Sequence, residues 1–167
     1  MHHGNDPDGS VNWVHAMHEV HTEGDMILIR LNDFPKISTD KIRYADTDGQ
    51  GHVNNAVFST FLETGRVEIL YSPEDPVLPE GRTFVIASLK LDFLAEINWP
   101  GQVDIGTGLT SIGNSSLRLR QQLHQGESCV AVAETIIVQV DPKTAKSAPL
   151  TGPSRERLSR WLLTDPD

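Results

Sequence analysis

The sequence predicts an α+β fold in which an antiparallel sheet of about five strands wraps around one long helix. Three observations carry this. Val57, Phe58, Phe61, Leu62, Gly65 and Ile69 recur at three- and four-residue spacing, the mark of one buried helix face. Runs of alternating or strongly apolar residues follow, separated by short turn signals. The order is strand, helix, then four strands, which suits a sheet curled around a helix.

The elements follow in chain order. Residues 1–35 form an N-terminal extension, expected to be partly disordered because its start is rich in His, Asp and Gly. His15, His18 and His21 share a helical spacing, but no Cys or convincing fourth ligand accompanies them, so no metal is expected. Met26 to Leu31 reads as a short strand, and Ile37 to Tyr44 as the first strand of the main domain, residues 36–150. Asn54 or Asn55 starts the helix, since Asn is a preferred N-cap. Three prolines make residues 72–81 a loop. Thr83 to Phe93 places Val85, Ala87, Leu89, Leu91 and Phe93 on one face, opposite Ser88, Lys90 and Asp92. Val103 to Ile112, Ser115 to His124 and Cys129 to Val140 complete the sheet. Gly113-Asn114 provides a tight hairpin turn, and Asp141-Pro142 stops the last strand. Residues 151–167 form a tail with a short helix opening at Pro153 or Ser154 and running through Leu163. A glycine inside a helix costs about 1 kcal/mol against alanine, so Gly65 points to close approach of helix and sheet.

Composition narrows the function. A chain of 167 residues suggests one domain. The formal net charge of -9 argues against nucleic acid or an anionic membrane surface as a main partner. No apolar run approaches the ~18 residues of a spanning helix, and the N-terminus has neither a basic start nor an apolar signal core. A cytoplasmic setting is the default. The single cysteine, Cys129, excludes an internal disulfide framework and lies in an apolar run, so it reads as a buried structural thiol.

The chemistry concentrates in Arg43 to Arg66, RYADTDGQGHVNNAVFSTFLETGR. A Gly-rich turn carrying Asp46 and Asp48 delivers a carboxylate close to a helix N-terminus, where backbone N–H groups are free and the dipole is positive. Such donors can hold a carbonyl oxygen as it becomes an oxyanion. A nearby carboxylate can activate water or attack the carbonyl itself. From spacing alone, the acids could equally serve only to complement the dipole.

The wording D-x-D-x-x-G-H-V-N-N, followed by F-x-x-x-F-L-E-x-x-R, resembles the hotdog-fold acyl-CoA thioesterases of the 4-hydroxybenzoyl-CoA thioesterase type. The resemblance continues through LKLDFLAEINWPGQVDIGTGLTSIGNSSLRLRQQL and AVAETIIVQVDPKT and covers roughly Lys36 to Leu150. It implies a hotdog fold and hydrolysis of a fatty or aromatic acyl-CoA, with coenzyme A as part of the substrate and no separate cofactor or metal. It implies a homodimer or homotetramer with sites between subunits. It makes Asp48 the catalytic base or nucleophile and the Asn55 backbone N–H the oxyanion donor. Asp46 is expected to be structural. His52 is a candidate for positioning substrate or water, and Val53, Asn54 and Phe58 for contacting substrate. Glu63 is the runner-up acid, although its spacing from Arg66 suits a helix-surface ion pair. Ser115, Ser116 and Arg118 would approach the coenzyme A arm, and Arg120, Arg82 and Lys90 are further candidates for its phosphates. Because coenzyme A is a polyanion and the chain is acidic, a local basic patch is needed, which a second subunit could supply. Two other readings stay open: a non-catalytic acyl-CoA-binding module, and a hydratase or dehydratase on the same fold.

Overall fold

A computed structural model describes residues 28–164. Strands β1 (Lys36–Lys41), β2 (Thr83–Phe93), β3 (Gln102–Ile112), β4 (Ser116–Gln125), β5 (Ser128–Asp141) and β6 (Lys146–Ser147) accompany helices α1 (Asn55–Leu70) and α2 (Gly152–Ser159). The main sheet is antiparallel in the order β1-β3-β4-β5-β2, with β6 paired to β5. Helix α1 lies over β1, β3 and β4. This is the expected hotdog arrangement.

Helix α1 buries Phe58, Phe61, Leu62, Gly65 and Ile69 against the sheet. Phe61 and Leu62 pack with Ile97, Val103, Ile105 and Leu123, and Ile69 with Leu109, Leu117 and Ile137. A Cβ on Gly65 would fall 2.9 Å from both the Gln121 amide nitrogen and Ile105, and closer still to Thr107 Oγ1. The glycine is what lets the helix sit this low. Gln121 then ties the layers together, donating to Leu62 O at 2.9 Å and to Thr107 Oγ1 at 3.0 Å.

Four details differ from the sequence expectations. Strand β1 ends at Lys41, because Arg43 N–H donates to the Asp46 carboxylate at 2.7 Å and Tyr44–Asp46 coil into a 3-10 turn. Over the described part of Met26 to Leu31 no strand forms, and Leu31–Asp33 make a 3-10 turn. In β2 the pairing register shifts between Ile86 and Ser88. This bulge puts Phe84 and Ile86 on the face shared by Leu89, Leu91 and Phe93, and turns Val85 to the opposite face, since one extra residue inverts the alternation. Helix α2 stops at Ser159, short of Leu163. Strand β1 pairs only Gln102 to Thr107 of β3, so the edge beyond would lie bare. The tail covers it: Leu109 N–H donates to Trp161 O at 2.7 Å, and Leu163 N–H to Leu109 O at 2.8 Å. The expectations for residues 1–27, including the three-histidine spacing, lie outside the described residues.

His124 is buried on β4 and paired across to Asp104 on β3. With its amide turned to satisfy both ends, Gln122 donates to His124 Nε2 and pairs with the Ile29 backbone. Burial pushes the His124 pKa below its ordinary 6.5, against an opposing pull from Asp104. The unfolded chain therefore binds the proton more readily, so this contribution is complete above pH 6.5 and shrinks as pH falls below it. Melting followed from about pH 7.5 to about 5.5 is expected to show a falling Tm, with a shallower fall in His124→Gln. Equal slopes would remove His124 as the cause.

Candidate active site

Residues 47–53 close like a miniature hairpin. Thr47 bridges Val53, and Asp48 N–H donates to His52 O at 2.7 Å. Gly51 has φ +85 with open space around its Cβ position, so backbone conformation alone calls for glycine. The loop fixes the Asp48 carboxylate by one oxygen: Oδ1 accepts from Gln50 N–H at 2.8 Å and from His52 N–H at 3.2 Å. Among the described residues Oδ2 has no partner and Asp48 makes no ion pair, and the residue is exposed. Asp46 is committed to the loop itself. Its carboxylate takes Arg43 N–H, and its carbonyl takes Asn54 N–H at 2.9 Å.

The helix head follows directly. Asn54 is the N-cap, its side chain accepting from Ala56 N–H at 3.0 Å and its carbonyl from Val57 N–H at 2.9 Å. Asn55 N–H lies beside these satisfied donors and has no acceptor among the described residues. A free carboxylate oxygen and a bare main-chain donor thus flank one short loop.

His52 is half-buried with Nε2 3.1 Å from Glu96 Oε2, and its backbone bridges Asn98. Glu96 escaped the sequence reading, because the aperiodic stretch before Trp99 offers only a lone acid between Ala95 and Ile97. Val53 and Phe58 are core residues, 4% and 2% exposed. Phe58 meets Phe93 edge-on at 5.0 Å between ring centroids.

The remaining candidates lie elsewhere. The Gln125 amide bonds Asn98 on both sides, so the His52 loop sits at the Gln125 end of β4. Ser115 and Ser116 are at the opposite end, roughly 30 Å away at ~3.3 Å per residue. Arg118 is exposed on the face opposite α1. One chain therefore does not bring Ser115, Ser116 or Arg118 to Asp48. Arg82 pairs with Asp141 at 2.9 Å and Lys90 with Asp92 at 3.4 Å. The expected Glu63–Arg66 surface pair does not form. Glu63 is exposed, whereas Arg66 turns beneath the helix and donates to Gln121 Oε1 at 3.2 Å. Burial pushes the Cys129 thiol up to about 11, which leaves it protonated and unreactive at neutral pH.

The family model of the thioesterase-like superfamily matches residues 42–162, taking in the Asp48 loop, α1, the sheet from β2 onward and α2. The chain belongs to this superfamily. Among thioesterase-like relatives, the acyl-CoA thioester hydrolase YbgC of Escherichia coli O6:H1 is 28% identical over 110 residues, covering 64% of this chain and 82% of that protein. YsmA of Bacillus subtilis strain 168 is 29% identical over 129 residues, covering 75% and 84%. A thioesterase of Thermus thermophilus, solved with coenzyme A and Zn, superposes with a TM-score of 0.66 at 28% identity, covering 75% and 92%. Among the described residues of this thioesterase-like chain, no group of three His, Cys, Asp or Glu is placed to hold a metal ion. No described helix is long and apolar enough to cross a membrane.

Proposed function

We propose that this thioester hydrolase acts on acyl-CoA, releasing a carboxylic acid and coenzyme A, with Asp48 as the catalytic carboxylate and Asn55 N–H as the oxyanion donor. One observation carries the reading: Asp48 Oδ2 and Asn55 N–H are an unengaged acceptor and donor at the helix head, on a loop held by hydrogen bonds from the Gln50, Gly51, His52 and Asn54 N–H groups. With Oδ1 locked, Oδ2 keeps a fixed direction. It can take a proton from water as that water attacks the thioester carbon, or attack the carbon itself. The carbonyl oxygen gains charge in either route, and a main-chain N–H at a helix start stabilises it. The intermediate collapses by expelling the coenzyme A thiolate, which leaves the free acid in the water route and an Asp48 acyl anhydride in the direct route, the latter then cleaved by water to the acid and the Asp48 carboxylate. A thiol has a pKa near ~8.5, so it leaves without a strong acid. The scheme calls for no cofactor beyond the coenzyme A the substrate carries.

The working unit is a homodimer, with pairing into a tetramer open to it. Two features support this. Strand β2 ends the sheet with Ile86 at 51% and Leu89 at 36% exposure on the face toward α1, beside exposed Val67 on α1 and Tyr71 just after it. An apolar patch of this kind marks an association surface. A coenzyme A arm that touches both the Asp48 loop and Ser115 to Arg118 must also draw on two chains.

A panel of acyl-CoAs with free thiol as the readout tests the function. Thiol release from a subset of acyl groups is expected. Tight acyl-CoA binding with no release from any of them would make the protein a binding module instead.

A further inference from the structure

We infer that a cavity between α1 and β2 recognises a carboxylate at the distal end of the acyl group through Arg66, a reading that rests on the proposed thioesterase function. The cavity measures about 200 Å³ and is lined by Glu63 and Arg66 on the helix and by Tyr71, Phe84, Ile86 and Ile137 around them. Arg66 is 5% exposed, yet the described residues give it one neutral hydrogen bond, to Gln121 Oε1, and no carboxylate within ion-pair distance. A guanidinium has five N–H donors. A buried cation with so few partners is costly unless an anion completes it. Desolvation is also the main influence on its pKa, which is lowered. Glu63 contributes an opposing field from one turn earlier, but it is exposed and therefore screened by water. The walls are otherwise apolar, with Tyr71 and Phe84 edge to face at 6.3 Å. The chemistry is that of an apolar chain ending in an anion.

The position suits the distal end of a substrate. Strand β2 runs antiparallel to α1, with Phe93 on Phe58 at the helix head and Phe84 on Tyr71 at its tail. In a two-fold dimer that pairs β2 edges, the tail of one helix lies toward the head of the other. An acyl group held at Asp48 of one copy then points toward the Arg66 cavity of the second.

The test compares kcat/KM for matched acyl-CoAs that end in a methyl group or in a carboxylate: hexanoyl with adipoyl, and octanoyl with suberoyl. The wild type is expected to prefer the carboxylate-ended member of at least one pair. Arg66→Met is expected to lose that preference by about ten- to a hundred-fold, and Arg66→Lys, which keeps the charge, to retain part of it. A wild-type preference for the methyl-ended member of both pairs overturns the inference. So does an equal loss on both members in Arg66→Met accompanied by dissociation on light scattering, which would assign Arg66 to a carboxylate of the second copy. If no acyl-CoA is hydrolysed, the thioesterase reading fails separately. Calorimetric titration with hexanoate and hexanol then decides the site: hexanoate binding that requires Arg66 upholds it, and binding indifferent to Arg66 or to the carboxylate overturns it.

Discussion

Asp48→Asn is expected to lower kcat for acyl-CoA hydrolysis by about 10²–10⁴, the usual worth of a positioned general base. The substitution is unusually clean here. An asparagine Oδ1 can still accept from Gln50 N–H and His52 N–H, the two bonds that shape the loop. What it loses is the charge and basicity of the second oxygen. Tm should therefore stay close to the wild type, and KM should change little, while turnover collapses. Turnover within a few fold of wild type would remove Asp48 from the chemistry. A matching collapse in Tm would show that the carboxylate holds the loop rather than reacting.

The largest structural effect is expected from Gly65→Val. A Cβ at this position alone falls inside contact distance of Thr107, Gln121 and Ile105, and valine adds two methyl groups. Either α1 lifts from the sheet or Gln121 is displaced from Leu62 O, Thr107 Oγ1 and Arg66. Overpacking costs about 1–3 kcal/mol, and a buried polar group left unsatisfied costs about 1–3 kcal/mol more. Against this, a side chain in place of glycine returns at most ~1 kcal/mol of helix propensity. The net loss is roughly 1–6 kcal/mol, a fall in Tm of roughly 2–24 °C for a chain of this size. Thermal melts that leave Tm unchanged would contradict the close approach of helix and sheet.

Much of the local geometry of the candidate site was legible because its signals are local. The D-x-D-x-x-G-H-V-N-N stretch contains the loop, its positive-φ glycine and its N-cap within ten residues, and each answers to backbone chemistry that needs no distant partner. The α1 face was equally readable, since its period is set by burial on one side. The misreadings came from what the rest of the chain imposes. The bulge in β2 could not be seen in TFVIASLKLDF, because the strand carries apolar residues on both sides of the shift. The Glu63–Arg66 spacing fits a surface pair, and only the layer beneath, where Gln121 offers its carbonyl, draws Arg66 under the helix. Glu96 reaches His52 from a segment with no period at all. The separation of Ser115 to Arg118 from Asp48 within one chain follows from strand length and direction, which the motif does not carry.

The most direct measurement is a crystal structure of Asp48→Asn with a slowly turned-over acyl-CoA bound. The thioester oxygen should lie about 2.7–3.1 Å from Asn55 N–H, with the residue-48 side chain facing the thioester carbon across it. A thioester oxygen seated away from the α1 head, or a carbon approached by a different carboxylate such as Glu63, would contradict it.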